Sequence, residues 1–161
     1  MARLFRSAVL LLMAVSLFSC KKDAADPALV NIEGEWQLVS VNGEDAGSMF
    51  GGDGLEVYLG FSADGTFETF QKLDGSDVYV RYSGRYSIHG TTASGTYSDG
   101  SPWAADYSVS LTEDRSGMTM SAGSEECVYT RTSIPDGVRD NVSERAGVKS
   151  GGEDVLPGRF L

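Results

Sequence analysis

Residues Val78 to Ile88 carry the sequence feature that most constrains the fold. Across this stretch an apolar side chain or a glycine stands at every even position, whereas Tyr79 and polar residues occupy the odd positions. Because successive side chains of a β-strand point to opposite faces, this pattern predicts a strand with one apolar and one wet face. Antiparallel sheets accept a wet face, whereas parallel sheets are normally covered on both sides. The sequence therefore predicts an antiparallel sheet.

Shorter segments of similar composition fill residues 31–133, and turn signals such as Asn42-Gly43 and Asp64-Gly65 separate them. Gly84 interrupts the longest segment and predicts a bend or bulge there. The glycine-rich stretch 44–54 is predicted to be a long loop. Eight strands are predicted, over residues 32–41, 55–62, 66–73, 78–88, 91–98, 103–112, 118–122 and 125–132. Short turns favour up-and-down order, which buries one apolar face either in a closed barrel or in a sandwich.

The first twenty residues predict export. Arg3 and Arg6 precede an apolar run from Ala8 to Phe18, which is too short for a membrane-spanning helix of about 20 residues. The run ends in Leu-Phe-Ser-Cys20, which resembles the lipobox of bacterial lipoproteins. That resemblance implies a signal peptide over 1–19, lipidation of Cys20 and a tether over 20–30. An ordinary secretory leader is the alternative. We expect a lipid-anchored protein of the cell envelope at the outer membrane, facing the periplasm or the exterior.

Loss of residues 1–19 would leave 142 of the 161 residues, and loss of Arg3 and Arg6 moves the formal charge from −10 to −12. A surface of this charge disfavours nucleic acid and anionic lipid head groups, because both would be repelled. Cys127 would then be the remaining thiol, so the core must be held by packing without an intramolecular disulfide.

Three short motifs carry a family resemblance. They are Gly34-x-Trp36 at the first strand, Phe61-x-x-Asp-Gly-Thr-Phe67 across a hairpin, and Tyr129-Thr-Arg131 at the last strand. Together they resemble the lipocalin-like domain of small bacterial lipoproteins of the Bacteroides type. The resemblance implies an all-β fold, an eight-stranded antiparallel up-and-down barrel. It also implies that Trp36 lies at the closed end with Arg131 packed over it.

The barrel interior is the candidate site, and eight strands leave room either for packed side chains or for one small ligand. The candidate lining residues are Leu38, Leu59, Phe61, Phe67, Val80, Tyr82, Tyr86, Trp103, Tyr107, Met118 and Met120. They are apolar with a few tyrosine hydroxyls, a composition that suits a lipophilic pocket and equally a filled core.

No catalytic residue, metal ligand or cofactor is predicted. His89 is predicted on the polar face of its strand, without a committed nucleophile or carboxylate. Cys127 is predicted to be a packing residue. Neighbouring Glu125 and Glu126 alternate faces and form no acid–base pair. We therefore expect a non-catalytic barrel that binds a small apolar or amphipathic ligand. The alternative is a filled-barrel scaffold that presents loops 44–54 and 99–102 to a protein partner.

Pro135 ends the strand pattern, and residues 134–161 are predicted to be a tail. Val138 and Val142 stand four residues apart, which predicts a short helix over 136–146 on the barrel surface. Residues 147–161 are rich in Gly, Asp, Glu and Arg and are predicted to be largely disordered.

Overall fold

The computed structural model describes residues 29–51, 54–72, 78–143 and 159–161, and it is an all-β protein. The predicted leader and Cys20 lie outside these residues, as does the tether except for residues 29 and 30. None of the helices within the described ranges has the length and apolar character needed to cross a membrane. The strands are β1 (Gly34–Val41), β2 (Glu44–Asp45), β3 (Glu56–Phe61), β4 (Thr66–Lys72), β5 (Tyr79–His89), β6 (Thr92–Tyr97), β7 (Tyr107–Leu111), β8 (Gly117–Ala122), β9 (Glu125–Arg131) and β10 (Val142–Ser143).

Eight of these strands close into an antiparallel barrel. From β3 to β9 each strand pairs with its neighbour in sequence, and β1 pairs with β3 on one side and β9 on the other. Closure is fixed by register, because Trp36 lies opposite Arg131 and Val41 lies opposite Cys127. The predicted eight-stranded up-and-down barrel is therefore confirmed and the sandwich is excluded. β2 forms a short hairpin with β1, and β10 adds to β5 in parallel.

The bend predicted at Gly84 marks the point where β5 changes partner. Residues before it pair with β4 and residues after it with β6, and Gly84 itself lies opposite Tyr97. A Cβ at this position would lie 2.1 Å from the carbonyl oxygen of Thr96. Only glycine allows the two strands to approach so closely.

The connections between strands define the two ends of the barrel. In an up-and-down barrel alternate turns lie at the same end. We call base the end with hairpins 62–65, 90–91 and 112–116, and mouth the end with connections 42–55, 98–106 and 123–124. The chain enters at the base, where the Val30 N–H donates to the carbonyl of Gly90 over 3.0 Å. A 3₁₀ helix, Ala46–Gly51, lies in the first mouth connection, which the sequence predicted as a loop.

A second, smaller core lies on the outer surface of β3, β4 and β5. Tyr58, Phe70 and Tyr79 are buried there beneath Ile134 and Val138 of the tail. The prediction of a wet outer face was therefore wrong at Tyr79, because the tail covers that part of the sheet.

The tail helix, α1, is shorter than predicted. It spans Asp136–Asp140 rather than 136–146, and Val142 then pairs with Tyr79 in β10. Arg139 fixes α1 to the barrel by donating to Glu68 over 2.6 Å and to Glu35 over 2.5 Å. Residues 144–146 lie outside the described ranges.

Candidate functional site

The base is closed by a tryptophan and an arginine. Trp36 is completely buried, and its indole N–H donates to the carbonyl of Ile32 over 2.8 Å. The guanidinium carbon of Arg131 lies 4.2 Å from the centroid of the Trp36 ring, a cation–π contact of the kind that the resemblance implied. Arg131 also donates to the carbonyls of Glu33 and Arg115, over 3.0 and 2.9 Å.

Gly34 is part of the same arrangement. A Cβ at this position would lie 2.2 Å from Nη1 of Arg131, and its φ of +119° is one that L-residues rarely adopt. The Gly-x-Trp spacing thus has a local physical reason: tryptophan needs the arginine above it, and the arginine needs the space beside the glycine.

The interior joins most of the predicted lining residues in one buried core. Within the predicted set, Tyr82 and Tyr86 are half-buried against this core, and Val80 is half-buried but lies outside it. The predicted lining residues that are fully buried in it are Leu38, Leu59, Phe61, Phe67, Trp103, Tyr107, Met118 and Met120.

Aromatic rings meet edge to face across this interior. Phe67 lies 5.1 Å from Trp103 and 5.5 Å from Tyr97, measured between ring centroids. Phe61 lies 5.0 Å from Tyr86. Such contacts add about 0.5–1.5 kcal/mol each to the free energy of burial, so they fix the positions of the rings inside the barrel.

Trp103 reaches the interior from a loop. The predicted strand 103–112 begins only at Tyr107, because residues 98–106 fold back over β6. The Trp103 N–H donates to the Gly95 carbonyl over 2.9 Å. A Cβ at Gly95 would lie 2.3 Å from the indole ring, so Trp103 occupies the space that this glycine leaves.

Two interior polar atoms have no hydrogen-bond partner among the described residues. They are the indole Nε1 of Trp103 and Oγ1 of Thr69, and both are buried. Thr69 shares the inward face of β4 with Phe67, two residues away. An unpaired buried polar group of this kind costs about 1–3 kcal/mol. The interior therefore contains one donor and one hydroxyl that a ligand oxygen could engage.

The mouth holds residues 159–161, which the sequence predicted to be disordered. Leu161 is only 2% exposed and joins the interior core. The Tyr97 hydroxyl donates to the main-chain oxygen of Leu161 over 2.7 Å, and the Phe160 N–H donates to Oε1 of Gln71 over 3.1 Å. The prediction was wrong for these three residues, whereas residues 147–158 lie outside the described ranges.

Arg159 completes the contacts at the mouth. Its guanidinium lies 4.4 Å from the Tyr97 ring centroid and pairs with both carboxylate oxygens of Asp99. Hydrogen bonding to Arg159 holds the pKa of Asp99 well below its usual range, and burial raises the pKa of Tyr97 to about 12. Sequence reasoning missed Gln71, Tyr97 and Asp99. A signal was available for Gln71, which is a polar residue at an inward position of its strand.

The remaining reactive groups do not converge. His89 is exposed at the end of β5, and Cys127 is a half-buried free thiol whose pKa is raised by burial. Within the described ranges no group of three histidine, cysteine or acidic side chains is placed to hold a metal ion.

The fold and interior define a class: closed eight-stranded antiparallel barrels with an aromatic core and a tryptophan–arginine base. Residues 32–115 match the family model of the lipocalin-like domain, and the chain belongs to this family. Comparison with curated proteins gave no match. Comparison with solved structures gave no match either. Lipocalin-like barrels generally serve binding or transport rather than catalysis.

Proposed function

We propose that this protein is a lipid-anchored envelope lipoprotein whose barrel takes up a small neutral amphipathic molecule through the mouth. The observation that carries the proposal is the pair of unpartnered polar atoms, Trp103 Nε1 and Thr69 Oγ1, inside an otherwise apolar core. A ligand that brings a hydroxyl or carbonyl oxygen to them would recover the free energy of the missing hydrogen bonds. The formal charge of −12 predicted for the mature chain disfavours anionic ligands.

Anchoring fits access to the barrel. The tether leads into the base, where Val30 is bonded to Gly90, so a lipid on Cys20 leaves the mouth at the opposite end. Multiple acyl chains hold a protein stably, since each buried CH₂ contributes about 0.8 kcal/mol. Labelling cells with an alkyne-bearing fatty acid should mark the wild type and leave a Cys20→Ser variant unlabelled. An outer-membrane location of the Bacteroides type predicts that the labelled protein sediments with the outer membrane.

Ligand binding is tested with the Cys20→Ser protein, which can be purified without detergent. We expect N-phenyl-1-naphthylamine to fluoresce when it enters the barrel, and 1-decanol to displace it. A matched Trp103→Phe variant keeps a large aromatic ring and loses the Nε1–H donor. It should bind decanol about 5–10-fold more weakly and the apolar decane unchanged, because one hydrogen bond is worth about 1–1.5 kcal/mol. An equal loss for both ligands would contradict the assigned role of the indole.

A second candidate is the filled-barrel scaffold, which the dense edge-to-face packing of interior rings favours. In that case no apolar probe binds, and the mouth connections are presented to a protein partner. Photo-crosslinkers placed at Ser48 or Ser101, both in mouth connections, should then capture a specific envelope protein, whereas one at Asp114 at the base should not. Equal capture at both ends would count against this candidate.

A further inference from the structure

Residues 159–161 are held at the mouth much as a bound peptide is held. They form no strand pairing, and the two main-chain hydrogen bonds that hold them come from barrel side chains: Gln71 accepts from the Phe160 N–H, and Tyr97 donates to the oxygen of Leu161. Segments that belong to a β-fold are usually paired through backbone ladders. Here the barrel supplies side-chain groups instead.

Each of the three side chains meets a group suited to its chemistry. The guanidinium of Arg159 has the Asp99 carboxylate and the faces of Tyr97 and Tyr82, which is a cation site with charge and ring faces together. The Phe160 ring lies edge to face with Tyr129, with centroids 6.5 Å apart. Leu161 enters the apolar core. The mouth is thus complementary to a basic, an aromatic and an aliphatic residue in succession.

We propose that residues 159–161 are a resident, displaceable ligand of the mouth, and that a molecule entering the barrel has to compete with them. The competition rests on the proposed function, whereas recognition of the peptide stands on the contacts themselves. The proposal commits to this chain's own segment as the occupant. The same site would accept a free peptide of the same chemistry.

Occupancy by an attached segment lowers the apparent affinity for other ligands. The affinity is reduced by the fraction of molecules in which the site is empty. A short flexible connection presents the segment at an effective concentration of the order of millimolar, so even modest contacts keep the site mostly filled. Weakening these contacts should therefore raise affinity for an outside ligand without a change in the barrel itself.

The first experiment uses the full chain with Cys20→Ser and titrates N-phenyl-1-naphthylamine. The Phe160→Ser/Leu161→Ser variant removes both apolar contacts and should bind the probe about tenfold more tightly or more, because burying one leucine contributes about 1.5–3 kcal/mol. Asp99→Asn leaves these residues in place and should raise affinity about two- to fivefold. Leu29→Ser, a change at an exposed leucine on the base side, is the control and should bind as the parent does. Circular dichroism verifies that each variant is folded.

The second experiment adds the peptide acetyl-Gly-Arg-Phe-Leu-amide to the Phe160→Ser/Leu161→Ser variant. Calorimetry should show one site, and the peptide with glutamate in place of arginine should not bind, because Asp99 would repel it. The unaltered chain should bind the arginine peptide at least tenfold more weakly than the variant, since its own segment competes.

The outcomes separate the two proposals. Unchanged probe affinity in a folded double variant overturns the resident ligand and leaves the binding function standing. Failure of the arginine peptide to bind the variant also overturns it. If no apolar probe binds any variant while the peptide binds, the small-molecule function falls and recognition of the segment stands. Peptide-dependent dimers would mean that the segment acts between copies, which contradicts the proposal of an occupant from the same chain.

Discussion

Gly34→Ala tests the physical reason given for the closed base. The new methyl group would lie 2.2 Å from Nη1 of Arg131, and because this nitrogen ends a flexible side chain, the guanidinium can swing away. The cost is therefore the set of contacts that Arg131 gives up. Two hydrogen bonds to main-chain carbonyls contribute about 1 kcal/mol each, and the contact with Trp36 about 0.5–2 kcal/mol.

Backbone strain adds to this loss. A residue other than glycine at a sparsely populated φ costs about 1–3 kcal/mol, and φ of Gly34 is +119°. The free energy of unfolding should fall by roughly 4 kcal/mol in total, measured by urea unfolding with tryptophan fluorescence. Gly123→Ala is the matched control, because its φ is also positive and a Cβ there meets nothing within 4 Å. It should cost only about 1–2 kcal/mol.

A double-mutant cycle with Arg131→Ala isolates the shared contacts. Once the arginine is gone, Gly34→Ala should cost little more than backbone strain, so the two changes should couple by about 2 kcal/mol. Additivity within about 0.5 kcal/mol, or equal losses for Gly34→Ala and Gly123→Ala, would refute this explanation of the Gly-x-Trp spacing.

Three further predictions concern stability. Gly95→Ala places a Cβ 2.3 Å from the ring of Trp103 and should lower the free energy of unfolding by about 1–3 kcal/mol; an unchanged urea midpoint would show that Trp103 does not need this space. Burial raises the pKa of Tyr97 from 10 to about 12, so above pH 10 the unfolded chain releases a proton that the folded chain keeps. Stability should therefore fall between pH 10 and 12, and fall less in Tyr97→Phe; equal pH slopes in urea unfolding would contradict this. Val138→Ala should cost about 1–2 kcal/mol by thermal unfolding and increase exchange of amides in α1, since Val138 packs on Tyr79; no change in either would mean that the outer core is not stabilising.

The barrel strands were largely predictable because their signals are local. Alternation over 78–88 and turn dipeptides such as Asp64-Gly65 depend only on neighbouring residues, and the eight strands lie where these signals placed them. Closure into a barrel involves pairing of the first and last strands, which local pattern does not specify. The motif resemblance supplied that step, through the pairing of Trp36 with Arg131.

The predictions that failed concern contacts between parts of the chain far apart in sequence. Tyr79 looked solvent-facing because nothing near it in sequence indicates that Val138 will cover it. Trp103 continued the inward alternation of its segment, so its position in a loop above Gly95 was hidden. The contacts of Leu161 with Tyr97 join residues 64 positions apart.

The two tryptophans allow the central claim, that an amphipathic ligand enters the barrel, to be tested in one measurement. Trp36 already donates its indole N–H to Ile32 at the base, whereas the indole N–H of Trp103 has no partner within the described part of the chain. In a ¹⁵N-labelled sample titrated with 1-decanol, the Trp103 indole signal should move downfield and saturate, and the Trp36 signal should stay in place. Movement of neither signal at saturating decanol, or equal movement of both, would contradict binding inside the barrel.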